Sequence, residues 1–237
     1  SGRLPPPEVP LPPVIVVGEG PDAQNHTLVR VLGHYGIAEQ QFLAYPPSVR
    51  GGVAVSTGCT ASGQPRVITA PLEDSTIREV RVFDLNGIQT ASIQPPANLR
   101  PPYAIEAGQF IRGKRGDEVA VVSGERGGLY DMAGKLLMSF RIPGAPGRRT
   151  ALSRVSAAGA DDLLVYQRGE GSARVYRFTV GDCRQVREIA VRPPEGSKQA
   201  DGVYPSAFGN RSYVTGPHAE LSQVRLVTGK TDATADL

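Results

Sequence analysis

The chain has 237 residues, 22 Arg against 4 Lys, a formal net charge of +3 and no Trp, and 40% of its residues are hydrophobic. That is enough to bury a core, and no apolar run approaches the roughly 18 residues a membrane-spanning helix needs. Three His and two Cys leave little room for zinc, haem or thiol chemistry.

The first segment, Leu4–Pro13, is Leu-Pro-Pro-Pro-Glu-Val-Pro-Leu-Pro-Pro. It reads as an extended polyproline II linker, so residues 1–13 are set apart from a domain over 14–237. From Val14 onward one pattern recurs. A continuous apolar run, Val-Ile-Val-Val-Gly (14–18), is followed about a dozen residues later by Val-Arg-Val-Leu-Gly-His-Tyr-Gly (29–36) and then by Gln41–Tyr45. The second unit repeats it with Gly52–Thr57, Arg-Val-Ile-Thr-Ala-Pro (66–71), Val-Arg-Val-Phe-Asp-Leu-Asn-Gly (80–87) and Thr90–Ile93. A third follows with Tyr103–Ala107, Glu118–Gly124, Gly127–Gly134 and Leu136–Ile142, and a fourth with Ala151–Ala157, Asp162–Tyr166, Ala173–Gly181 and Val186–Val191. The fifth runs from Val203–Phe208 through Arg211–Pro217 and Val224–Gly229 to a weakly strand-like Lys230–Leu237.

The closing glycines Gly36, Gly87, Gly134, Gly181 and Gly229 fall 51, 47, 47 and 48 residues apart. Alternating strands running into a Gly-closed turn are hairpins. The continuous β-branched runs suit strands buried on both faces. Four short strands per unit without helical periodicity are the blade of an all-β propeller of about five four-stranded blades. The first unit shows no innermost strand, so the units form either a closed ring or an arc needing strands from elsewhere; closure removes exposed edges and is the expected form.

Phe-Leu-Ala-Tyr-Pro (42–46), Arg-Gly-Gly-Val-Ala-Val-Ser-Thr-Gly (50–58), Gly-Gln-Pro-Arg-Val-Ile-Thr-Ala-Pro (63–71) and Arg-Gly-Lys-Arg-Gly-Asp-Glu-Val-Ala-Val-Val-Ser-Gly (112–124) resemble the FG-GAP (integrin-α-type) propeller repeat. That family often binds Ca²⁺ through an Asp-rich loop between the first two strands of a blade. Here Gly58–Arg66 has no carboxylate, Phe110–Glu118 has only Asp117 and Glu118 beside Arg112, Lys114 and Arg115, and Ala157–Asp162 has Asp161 and Asp162. Too few anionic oxygens remain for a hard cation, so no metal or other cofactor is expected, and Asp117 and Asp161 read as side chains bonded to nearby backbone.

On this map Cys59 and Cys183 lie a whole blade apart and are not expected to form a disulfide. The strand-borne arginines Arg30, Arg81, Arg174 and Arg225 are scattered, not striped, which reads as solvent-facing residues on a sheet with no nucleic-acid partner. The resemblance implies partner binding on the face carrying the two-to-three loops and the Pro-rich blade connections Pro95–Pro102, Pro143–Thr150 and Pro193–Gly202. Candidate contacts there are Arg100, Tyr103, Arg148, Arg149, Lys198 and Asp201, with Asp74 and Glu79 from a two-to-three loop. Asp84 and Asp131 share one turn position and read as turn residues; His26, His34 and His218 have no metal spacing, and no nucleophile elbow or phosphate loop occurs. The expectation is a non-catalytic interaction module, extracellular or at the cell surface, holding a protein or glycan partner. Its alternatives are a propeller-type carbohydrate-active enzyme resembling a polysaccharide lyase, with His34 or His218 meeting a Tyr and an Arg, and a structural subunit of a larger assembly.

Overall fold

The computed structural model describes residues 14–33, 35–73, 76–142, 150–157, 159–169, 172–179, 184–191, 206–208, 211–215, 220–225 and 231–236, with side chains described in 14–33, 35–73, 76–142, 150–154 and 159–165. The described residues contain no helix. The first sheet holds β1 (Ile15–Gly18), β2 (Leu28–Leu32) and β3 (Ala38–Leu43); the second holds β4 (Val53–Cys59), β5 (Pro65–Pro71), β6 (Val80–Phe83) and β7 (Gln89–Ile93). The third is β8 (Ala104–Gly108), β9 (Glu118–Ser123), β10 (Arg126–Asp131) and β11 (Leu136–Arg141). The fourth is β12 (Thr150–Ala157), β13 (Ala160–Gly169), β14 (Ser172–Thr179) and β15 (Arg184–Val191), and the fifth β16 (Ser206–Phe208), β17 (Arg211–Thr215), β18 (Glu220–Arg225) and β19 (Thr231–Asp236). Every sheet runs in sequence order with antiparallel neighbours. These are the units expected from the repeat.

Each blade ends in the same hairpin. The pairing of its last two strands slips once just before the turn, at Val31/Leu32, Val82/Phe83, Leu129/Tyr130, Arg177/Phe178 and Gln223/Val224. Such a bulge turns the strand into a three-residue loop whose closing residue needs positive φ; Gly36 (φ 73°), Gly87 (80°) and Gly134 (91°) supply it. The Asp84 carboxylate accepts the N–H groups of Asn86 and Ile88 at 2.9 Å, and Asp131 accepts those of Ala133 and Lys135 at 3.0 and 2.9 Å. Both are turn residues, as their shared position predicts. Gly181 and Gly229 lie outside the described residues.

The core is a series of seams between successive sheets. Val29, Val53, Val67 and Phe83 are buried between the first and second. Ile68, Val82 and Ile93 meet Ile105, Val119, Val121 and Tyr130 between the second and third. Ala120, Val122, Leu129 and Phe140 meet Leu152, Leu163 and Val165 between the third and fourth. Strand alternation thus gives each blade a leading face toward the preceding blade and a trailing face toward the next.

β1 departs from this rule. Paired with β2 through Ile15↔Leu32 and Val17↔Arg30, it takes the place of β5, which pairs with β6 through Val67↔Phe83 and Thr69↔Arg81. It is therefore a second strand, and among the described residues the first blade has no innermost one. Its apolar run does not have both faces buried: Ile15 and Val17 are 55% and 41% exposed, whereas the equivalent Val67 and Thr69 are fully buried. A continuous apolar run is written for two covered faces, and only one is covered here.

Candidate functional site

The carboxylates that a calcium loop would use are spent on the protein's own backbone. Asp117 does not act locally. Its carboxylate accepts the Cys59 N–H at 2.7 Å, and its N–H donates to the Cys59 carbonyl at 2.8 Å, 58 residues away in the preceding blade. Asp161 repeats this one blade on: it accepts the Gln109 N–H at 3.1 Å and donates to the Gln109 carbonyl at 2.7 Å. Cys59 and Gln109 each follow a glycine at the end of an inner strand, where a Cβ would come within 3.0 Å of the Asp oxygen. The two aspartates are inter-blade links, a correction to the reading of them as local turn residues.

Glu118 organises the Phe110–Asp117 loop from within. The residue is fully buried; one carboxylate oxygen accepts the N–H groups of Phe110 and Ile111 at 2.8 and 3.0 Å, and the other meets the Lys114 ammonium at 3.0 Å. A lysine side chain and two peptide dipoles satisfy this carboxylate. No group of three or more His, Cys, Asp or Glu is placed to hold a metal among the described residues. Cys59 is a free, exposed thiol; Cys183 lies outside the described residues.

One inner-strand acid stands apart. Glu106 on β8 faces the next blade, 4.0 Å from the Arg154 guanidinium, which also lies 3.8 Å from Asp161 and donates to the Ala107 carbonyl at 3.0 Å. Burial pushes its carboxyl up to about 7, with Arg154 pulling against that rise and Asp161 adding to it. Because the folded state holds the proton more tightly than the unfolded chain, Glu106 contributes stability that is full below about pH 4.5 and is lost as pH rises through about 7. We expect urea titrations at pH 5 and pH 8.5 to show the wild type losing about 2–3 kcal/mol more than Glu106→Gln over that interval. Parallel behaviour of the two proteins would remove Glu106 as the source.

At the end carrying the two-to-three loops and blade connections, the nominated residues divide. Arg100 is exposed, and its carbonyl accepts a hydrogen bond from the Ser123 hydroxyl. Tyr103 is not a surface contact: it is 2% exposed, inside the seam between the second and third blades, and its hydroxyl donates to the Leu99 carbonyl at 3.3 Å. Glu79 is half-buried and engaged by Arg81, by the Ser92 hydroxyl at 2.8 Å and by Gln94 at 3.2 Å. Burial works against its ionisation, but Ser92 and Arg81 outweigh that and hold its carboxyl below the ordinary range. Arg81 is likewise not a solvent-facing strand residue: it stacks 4.8 Å from the Tyr45 ring centroid and donates to the Ala44 carbonyl at 3.0 Å. Asp74, Arg148, Arg149, Lys198 and Asp201 lie outside the described residues, as do His34 and His218.

The structure adds three residues to this end. Arg78 is exposed and reaches the Ala97 carbonyl at 2.7 Å, anchoring the Pro95–Pro102 connection. Arg126 opens β10 and Arg141 closes β11; both are exposed, and they are direct cross-strand partners. Like charges placed opposite each other destabilise a sheet, and no described carboxylate forms an ion pair with either. With Arg78 and Arg100 they place four exposed arginines at this end of the second and third blades, where Glu73, Glu79 and Glu125 also lie. The signal was in the sequence: counting back from the Asp131 turn through one bulge pairs Arg126 with Arg141.

No protein-family model and no curated protein matches the chain. Solved structures do. A crystal structure of a protein of unknown function from Bacteroides caccae superposes with a TM-score of 0.59 at 11% identity, covering 94% of this chain and 73% of that one. The Dos1 propeller gives 0.53 at 14% identity, covering 89% and 53%, and BBS1N in complex with ARL6DN gives 0.54 at 17%, covering 77% and 56%. The chain therefore spans about half the length of the latter two. Together with the repeated hairpin and the seams, this likeness defines the fold: the chain is an all-β, β-propeller protein.

Proposed function

We propose that this protein is a non-catalytic propeller module that holds an anionic partner, an acidic protein surface or acidic glycan, on its long-loop face. The observation that carries the reading is the Arg126–Arg141 pair, two exposed guanidinium groups in direct cross-strand register that cost stability without a counter-charge. Arg78 and Arg100 extend the same field, which attracts oppositely charged surfaces. Support for a binding role over a catalytic one comes from Asp84, Asp117, Asp131, Asp161 and Glu118, all engaged with backbone. A propeller neighbour, BBS1N, is a structure solved in complex with another protein. The FG-GAP-like wording supports an extracellular or cell-surface setting.

The test is salt elution from a sulfated-glycan column and from immobilised polyglutamate. Arg126→Glu combined with Arg141→Glu should elute at clearly lower salt than the wild type, with an unchanged thermal midpoint. Arg112→Glu combined with Arg115→Glu, at the opposite end, should leave elution close to wild type. Equal losses from the two double variants would sink the face assignment. Cleavage of an acidic polysaccharide by the wild type would favour the lyase reading instead.

A further inference from the structure

The leading face of the first blade is built for a neighbour that the described chain does not place there. At the two second-strand positions that point toward the preceding blade, Val67 and Thr69, then Val119 and Val121, then Leu163 and Val165 are all either 0% exposed or buried in a seam, while Ile15 and Val17 are 55% and 41% exposed. Leu43 on the same sheet is 40% exposed. Arg30 occupies the position of Arg81 and shows what is missing. Arg81 donates to the Ala44 carbonyl and stacks on Tyr45, both from the chain leaving the preceding blade, whereas Arg30 has a 3.7 Å contact with Glu19 of its own blade. The axial edge of β1, where β5 is paired by β4 and β9 by β8, carries no described strand.

We propose that this flank is a docking surface for a further propeller blade encoded outside residues 1–237, together with an inner strand that pairs antiparallel with β1. The occupant is specified by the seams already formed. Its trailing face presents small and branched apolar side chains, as Ala70 and Ile68 do toward Val121 and Val119, to cover Ile15, Val17 and Leu43. Its exit segment offers Arg30 a backbone carbonyl and an aromatic ring, as Ala44 and Tyr45 do for Arg81. Unpaired strand edges and contiguous apolar faces are the features natural sheets cover. A second copy of the chain fits less well: two five-sheet copies joined end to end would exceed the roughly 4–8 blades of ordinary propellers. The longer solved structures, of which this chain spans 73%, 53% and 56%, have length for additional blades.

A graft tests the surface directly. Residues 52–117 comprise the second blade and the inner strand of the third; a copy placed ahead of Val14 keeps register, because Val14 takes the place of Glu118. In hydrogen exchange, β1 amides directed away from β2 should be open in the 237-residue protein and slow by about 100-fold or more in the graft. Val17→Asp should leave the urea midpoint of the ungrafted protein unchanged and abolish the protection gained by the graft. Protection of those amides in the ungrafted monomer would show that the chain covers its own flank and overturn the proposal. So would a dimer in sedimentation velocity that Val17→Asp dissociates, since the occupant would then be a second copy. A folded graft with unprotected β1 amides would overturn it too.

Discussion

Replacing Gly52 with alanine is expected to lower the unfolding free energy by about 3 kcal/mol, while the same change at its neighbour Gly51 costs about 2 kcal/mol. Both glycines have positive φ, 79° and 93°, so both substitutions carry backbone strain. They differ in what the new methyl group meets. At Gly51 it meets Cγ and Cβ of Glu73 at 2.2 and 2.5 Å; Cβ cannot rotate away, so the exposed loop residue Glu73 has to shift as a whole. At Gly52 it would stand 2.1 Å from the Gly20 carbonyl oxygen and 2.6 Å from that of Glu19, both backbone atoms. Those atoms are fixed by the seam itself, where Val53 donates to the Glu19 carbonyl at 2.9 Å and Gly51 to that of Asn25 at 3.0 Å. Urea midpoints at constant m-value measure both losses. Equal costs at the two positions would mean that the fixed carbonyls of the first blade add nothing to the strain and crowding that both glycines share.

Glu118→Ala should be comparably severe, about 3 kcal/mol, because it strands the Phe110 and Ile111 N–H groups and leaves Lys114 without its counter-charge. Glu118→Gln retains an oxygen to accept the two N–H groups but loses the ion pair, so about 1–2 kcal/mol is expected. The order Ala worse than Gln worse than wild type, read by thermal or urea unfolding, checks the assignment. If Gln proved as damaging as Ala, the carboxylate charge rather than its hydrogen-bond geometry would be organising the loop.

The blade pattern was legible because it is local. Alternation, a bulge and a Gly-closed turn are all written within eight residues, as in Val80–Gly87, and every strand read from the sequence has its counterpart in the structure. What lies between blades was not. Asp117 has its partner 58 residues away, and nothing in its neighbourhood distinguishes a carboxylate bonded across a seam from one bonded to its own turn. The apolar run at Ile15–Val17 reads the same whether one face or both are covered. Tyr103 follows a Pro-rich connection and looked exposed; the depth of the seam beneath Leu99 decides its position, and that depth is a property of two sheets together. At the long-loop end, Arg126 and Arg141 emerged only from hairpin register.

The Asp117 and Asp161 links carry a consequence for how such a chain can change over time. On the preceding blade each link engages a peptide N–H and carbonyl, not a side chain, so Cys59 and Gln109 can be replaced by many residues without loosening the joint. At each of these two junctions the link itself constrains one aspartate and one small glycine and leaves the residue it grips free to vary. The architecture can then persist while the wording erodes, which fits a chain that shares its shape with proteins only 11–17% identical to it.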